Sequence, residues 1–330
     1  MAGLVYTSDV FGGAATISVA TFADLPVSGD VDQRIIVTGE TSLFSSSYPV
    51  ICVWEDTQWK LESARCSYVN LAAAEFATGV WTGTGASINT SAKCEVIDTT
   101  YNESWIWNST SNIFVPSYLE LNAIQNQQRI KGDSTTLESG WTLTIGTNCT
   151  ATTSGGKLIL SGISQSSPTT TRIVSASFTD ASQTNSTNFY MKCLMKSTLT
   201  RATTGSVSTW IQYQSATSGT GNQVEFGHAD DSTGTPIQGK FMNRTTDWKT
   251  LYTATANRGD TLTSETLVQF RTVGTGIAQV KVGSGSWHDI AKSSCRVSGA
   301  NYFYIAAGSQ NSGLNIAVLE LRYLQAIRYT

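Results

Sequence analysis

Four aromatic side chains in the second half of the chain, Trp210, Tyr213, Trp248 and Trp287, are accompanied by polar groups able to grip hydroxyls, above all Arg244 and Asp247. Sugars are held by such sets: flat rings lie against apolar C–H patches while charged or amide groups pair with hydroxyls. These six residues are the candidate carbohydrate-binding site. Tyr302 extends the aromatic set, and Asn222, Asp230, Asp231 and Asn243 extend the polar one. The competing role for the tryptophans is packing. In the segment HADDSTGTP, Asp230, Asp231, Ser232 and Thr233 precede Gly234 and could turn oxygens toward a calcium ion. The spacing is not that of an EF-hand, and a solvated turn is the simpler reading.

Catalysis has less to work with. The two histidines, His228 and His288, stand in no motif that pairs a nucleophile with an oriented base. His228 alternates with Val224 and Phe226, as a residue at the edge of a core does. Cleaving a glycosidic bond would need two carboxylates across a groove; Glu225 is one candidate, with Glu265 or Glu320 as its partner. The cysteines Cys52, Cys66, Cys94, Cys149, Cys193 and Cys295 form neither a CxxC pair nor a Cys/His cluster. They therefore compose no zinc site and read as buried reduced thiols, with a Cys52 to Cys66 disulfide as the alternative. No cofactor or metal is called for.

A formal charge of -3 gives no electrostatic reason to expect nucleic acid or an anionic membrane. No unbroken apolar span is long enough to cross a bilayer. The opening MAGLVYTSDVFGG lacks the basic leader and long apolar segment of a secretory signal, so synthesis and assembly inside a cell are expected.

The elements that must position these residues are strands. Only 14% of residues are charged, fewer than helices of a chain this long would carry, while Thr, Val and aromatic residues suit pleated surfaces. Phe189, Met191, Cys193 and Met195 alternate with Tyr190, Lys192, Leu194 and Lys196, and Ala278, Val280 and Val282 alternate with Gln279 and Lys281; this period of two marks half-buried strands. About eleven strands joined by small polar turns leave no room for crossover helices, so residues 132–330 are expected to form two antiparallel sheets face to face, a jelly-roll sandwich. The whole is all-β.

Upstream, residues 1–19 form an arm that cannot fold alone and is expected either to be disordered or to order against a neighbouring subunit. Residues 20–66 read as a small β module with turns at Pro26 to Asp30, strands at Ile35 to Val37 and Val50 to Trp54, and a return strand carrying Trp59 and Leu61. Trp54 and Trp59 flank a tight turn and can staple the hairpin. Residues 67–116 repeat the pattern, VICVWEDTQWKLES being matched by ESWIWNSTSNIFVPS, with a helical turn where Ala72 to Ala74 favour it. Ser117 with Glu120 three residues later, and Gly132 just beyond, predict a helix over 117–130 that links modules and sandwich. Its thin apolar stripe of Tyr118, Leu121 and Ile124 needs support from adjoining domains or from its own copies.

Residues 21–63, with TFADLP, the following strand and VWEDTQW, resemble small modules of tailed-bacteriophage tail fibre and virion proteins; Thr57 stands where the turn usually has glycine. Residues 133–330, with VQFRTVGTGIAQVKVGSGSWHDI and a long closing strand, are similar in style to concanavalin A-like, laminin G-like sandwiches. Glycosidases of that type usually carry an ExDxxE-like run, which is absent here. The resemblance implies a virion component, a tail fibre or spike whose sandwich contacts a host-surface glycan without catalysis. It also implies a homotrimer attached to other virion proteins through its N-terminal region. Its alternatives are a head fibre or decoration protein, and a polysaccharide-degrading glycosidase.

Overall fold

The computed structural model describes residues 5–7, 16–118, 124–138, 140–164, 169–175, 188–200, 206–214, 223–230, 238–243, 249–253, 264–273, 277–291, 302–310 and 315–329. The chain divides into two compact units, Met1–Leu121 and Asn122–Thr330.

The first unit is built on β1 (Val5–Thr7), β2 (Thr16–Val19), β3 (Arg34–Val37), β4 (Val50–Glu55), β5 (Gln58–Cys66), α1 (Tyr68–Phe76), β6 (Val80–Thr82), β7 (Ser87–Asp98), β8 (Glu103–Asn108) and β9 (Ile113–Pro116). All of its strands join one sheet, in the order β1-β2-β3-β4-β5-β7-β8-β9, with β6 also on β7. The two modules expected over 20–66 and 67–116 are therefore one body. Parallel pairing of β5 with β7 merges them, and α1 makes the crossover that a parallel pair requires. The described parts of the arm also lie on this sheet, β1 on β2 and β2 on β3.

Local chemistry explains these elements. Ser67 caps α1 by accepting from the Asn70 amide at 3.3 Å, and the helix buries Tyr68, Leu71, Ala72 and Ala74. Its Glu75 carboxylate, fully buried, accepts from the Phe114 amide on β9. Rings run through the interior, with Phe44 and Trp81 centroids 5.2 Å apart and Trp107 and Phe114 4.8 Å apart. Fully burying a ring as large as Trp81 or Trp105 contributes about 4–6 kcal/mol before entropy. Trp54 and Trp59 face each other across the β4–β5 hairpin at 5.4 Å, as the sequence predicts. The pair also pins the TFADLP segment: Trp59 donates its indole N–H to the Pro26 carbonyl at 2.8 Å, and a Cβ on Gly29 would lie 2.9 Å from the Trp59 ring.

The second unit contains β10 (Ile124–Lys131), β11 (Trp141–Ile145), β12 (Cys149–Ser154), β13 (Lys157–Ser164), β14 (Thr169–Ser175), β15 (Asn188–Thr200), β16 (Ser206–Gln214), β17 (Gln223–Asp230), β18 (Gln238–Asn243), β19 (Lys249–Thr253), β20 (Thr266–Val273), β21 (Ile277–Val282), β22 (His288–Ala291), β23 (Tyr302–Gln310) and β24 (Asn315–Tyr329). One sheet runs β12-β13-β24-β15-β20-β21-β22 with β10 also on β24; the other runs β11-β14-β23-β16-β17-β18-β19. Every pairing in both is antiparallel. The all-β class and the antiparallel sandwich expected from the alternation are what the chain forms. The core joins both sheets: Phe189, Met191, Cys193 and Met195 pack with Val268, Phe270, Leu319 and Leu321, and with Trp141, Ile305 and Ala307 from the opposite sheet. The closing strand carries a bulge, with Arg322 as the extra residue between Tyr323, which pairs with Leu194, and Leu321, which pairs with Met195.

The helix predicted over 117–130 is not formed: Ile124–Lys131 is a strand on the end of β24. Gly132 is no helix cap. Its amide donates to the Arg322 carbonyl at 2.7 Å, and a Cβ there would sit 2.2 Å from the Leu321 carbonyl oxygen. The glycine lets two backbones touch where β10 succeeds β13 along β24. Nor do Cys52 and Cys66 pair: Cys52 stands opposite Leu61, leaving Cys66 five residues further along β5. Both thiols are buried and free, as are those of Cys94 and Cys193, and burial raises their pKa above the ordinary thiol range. Cys295 lies outside the described residues.

Candidate functional site

The side chains that alternate with the core on β15, β20, β21 and β24 form the outer face of the eight-stranded sheet. Register aligns them in rows across neighbouring strands. One row runs Gln127, Ile327, Tyr190, Arg271, Gln279 and the next runs Arg129, Gln325, Lys192, Gln269, Lys281. The middle of this face is closed to solvent, Lys192 and Gln325 each retaining 3% of their exposure and Gln269 none. The Tyr190 hydroxyl donates to Gln269 Oε1 at 2.8 Å, which meets part of the hydrogen-bonding requirement of that buried layer.

The margin toward β21 and β22 is more open. Trp287 sits just before β22, half-buried, with the Arg271 guanidinium 4.1 Å above its ring centroid. Arg271 is fixed from a second direction, its Nε–H donating to Gln279 Oε1 at 2.8 Å. A cation held over an indole is worth about 0.5–2 kcal/mol and, more usefully here, sets the plane of the ring. Gln279 and Lys281 project beside it from β21, both half-buried. An aromatic plate, a guanidinium and a primary amide on neighbouring rigid strands can hold a pyranose, the plate taking C–H groups and the polar atoms taking hydroxyls.

At the opposite end of the same face lies an ion network. Glu320 receives Lys157 at 2.9 Å and Lys196 at 3.0 Å, and Glu265 receives Arg322 at 2.8 Å and Lys157 at 3.6 Å. Desolvation acts to raise the Glu320 pKa, but hydrogen bonds and charge from Lys157 and Lys196 outweigh it and hold the carboxyl below its ordinary range. Such a group is an anion tied to cations, whereas a glycosidic general acid needs a raised pKa.

Of the six predicted site residues, Trp287 is the one whose side chain is described. Trp210 and Tyr213 lie on β16 in the middle of the seven-stranded sheet, opposite Gly227 and Val224 of β17. Trp287 flanks the eight-stranded sheet, so the set is divided between two sheets. Arg244, Asp247 and Trp248 lie outside the described residues, as do Asp231, Ser232 and Thr233 of the calcium-loop candidate. His228 is a mid-strand residue of β17, opposite Thr209 and Gly239. Among the described residues no cluster of His, Cys, Asp and Glu could hold a metal ion, and no helix is long and apolar enough to cross a membrane. Sequence reasoning missed Tyr190, Gln269, Arg271, Gln279 and Lys281. Their signal was the alternation itself, since each lies one step from a core residue.

No protein-family model matches the chain, and neither does any curated protein sequence. Solved structures similar to it include the metal-free lectin I-B4 of Griffonia simplicifolia, at 9% identity and a TM-score of 0.44 over 62% of this chain and 100% of that one. The β-glucanase of Bacillus licheniformis is similar at 16% identity and a TM-score of 0.37, over 62% of this chain and 99% of that one. The carbohydrate esterase vb_24B_21 of the Shiga toxin-encoding bacteriophage phi24B is similar at 13% identity and a TM-score of 0.40, over 62% of this chain and 97% of that one.

Proposed function

We propose that this chain is a bacteriophage virion protein of the tail fibre or spike type. Its sandwich contacts a host-surface glycan without cleaving it, and its N-terminal unit joins it to other virion proteins. The observation that carries the glycan contact is the Arg271–Trp287 pair at 4.1 Å on the outer margin of the eight-stranded sheet, with Gln279 held against Arg271. A ring kept at a fixed angle loses little entropy when a sugar lies on it. The non-catalytic reading is supported by Glu265 and Glu320, both engaged by cations at one end of the face. The virion reading is supported by the TFADLP to WEDTQW phrase and by the Trp59 to Pro26 hydrogen bond that gives it a structural purpose.

The test is a glycan array together with whole-cell binding, using the full chain and Trp287→Ala. Loss of binding with an unchanged melting temperature supports the proposal. Undiminished binding by the variant removes Trp287 from the contact, and release of reducing ends from a bound polysaccharide replaces binding by hydrolysis.

A further inference from the structure

From Trp141 to Gly156 the chain carries no Asp, Glu, Lys or Arg, where its mean of 14% would place about two. This stretch forms β11, a turn and β12, which are the terminal strands of the two sheets, so both of these edge strands are without charge. On β12, Thr150, Thr152, Thr153 and Ser154 are exposed, and on β11 Ile145 keeps 51% of its exposure. Among the described residues β12 pairs with β13 alone, and that pairing runs without a register shift from Cys149 to Ser154.

Folded proteins protect sheet edges with charges, proline, bulges or a covering loop, because an edge offers a row of unpaired N–H and C=O groups. β12 has no charge, no proline and no bulge. We infer that it pairs with β12 of a second copy of this chain, antiparallel about a two-fold axis, and so continues the eight-stranded sheet across a dimer. The partner is its own copy because an edge lacking charge meets no like-charge repulsion when it faces itself, and small Thr, Ala and Ser side chains are self-complementary. The two-fold axis keeps each face of the sheet continuous, so the register centred on Thr152 puts Thr152 opposite the partner's Thr152 and Thr150 opposite the partner's Ser154. Two copies, rather than the three that the sequence resemblance implies, is the consequence of isologous pairing.

Sedimentation of the full chain and of a Thr150→Lys, Thr152→Lys double variant tests this. Both positions are exposed in the monomer, so folding should survive, and a shared melting temperature checks that it has. The expected result is a dimer for the natural sequence at about 10 µM and a monomer for the variant. In the natural background, Thr152→Cys should give a dimer linked through the two introduced thiols on mild oxidation, and the link should persist when Cys149→Ser is added. A natural chain that stays monomeric, an assembly of three, or a dimer indifferent to the two lysines overturns the inference.

Discussion

Replacing Asp98 by asparagine should remove a specific pH dependence from the stability of the N-terminal unit. Asp98 ends β7 opposite Glu103 and is fully buried. Its Oδ1 accepts from the Thr100 amide at 2.8 Å, while Oδ2 is enclosed without a hydrogen-bond partner. Desolvation raises its pKa from 3.8 to about 6, opposed by hydrogen bonds from Thr100 and Tyr101 and assisted by Glu103. A carboxyl whose pKa is raised on folding favours the folded state while protonated. That contribution is complete below about pH 4 and is lost as pH rises through about 6. Two units correspond to about 3 kcal/mol at most. The substituted amide would keep the acceptor for Thr100 and carry no charge. Calorimetry of wild type and Asp98→Asn from pH 4 to 8 should therefore show the variant gaining on the wild type as pH rises, by up to about 3 kcal/mol. The subtraction cancels the titration of carboxylates that do not interact with Asp98. A difference that is flat with pH, or that favours the wild type more at pH 8 than at pH 4, refutes the reasoning.

Thr57 occupies the second left-handed position of the β4–β5 turn, at φ 64 after Asp56 at φ 51, a conformation that costs a β-branched residue most. Thr57→Gly should stabilise the unit by about 1 kcal/mol in denaturant titration, provided the Trp54–Trp59 pair is retained. Gly132→Ala drives a methyl into the Leu321 carbonyl and should cost about 3 kcal/mol or prevent folding, read from the transition of the sandwich. Glu320→Gln leaves Lys157 and Lys196 facing an uncharged amide and should cost about 1 kcal/mol at pH 7 in thermal unfolding. Because the Glu320 pKa is lowered on folding, that cost should disappear as pH falls below the carboxylate range.

The sandwich was legible because Phe189 to Lys196 and Ala278 to Val282 alternate cleanly, and period two survives any choice of partner strand. Trp54 and Trp59 were legible for a similar reason: both ends of a tight hairpin turn must face each other. The helix over 117–130 was misread because Ser117, Glu120 and Gly132 imitate caps at the right spacing. The Gln-rich run Gln125 to Gln128 is neutral toward strand or helix, so pairing with β24 decides its form. One sheet was taken for two modules because the parallel β5–β7 contact leaves no local trace. At the candidate site, tryptophans were chosen for their chemistry, while Arg271 and Gln279 needed the register between β20 and β21 before they could be placed beside Trp287.

The most direct test of the proposed glycan contact is hydrogen–deuterium exchange of the full chain with and without an oligosaccharide that binds it on an array. Slower exchange confined to β20, β21 and the segment leading from Gly283 to Trp287 is the expected result. Slower exchange on β16 and β17 of the other sheet, with the Arg271–Trp287 margin unchanged, would contradict the account.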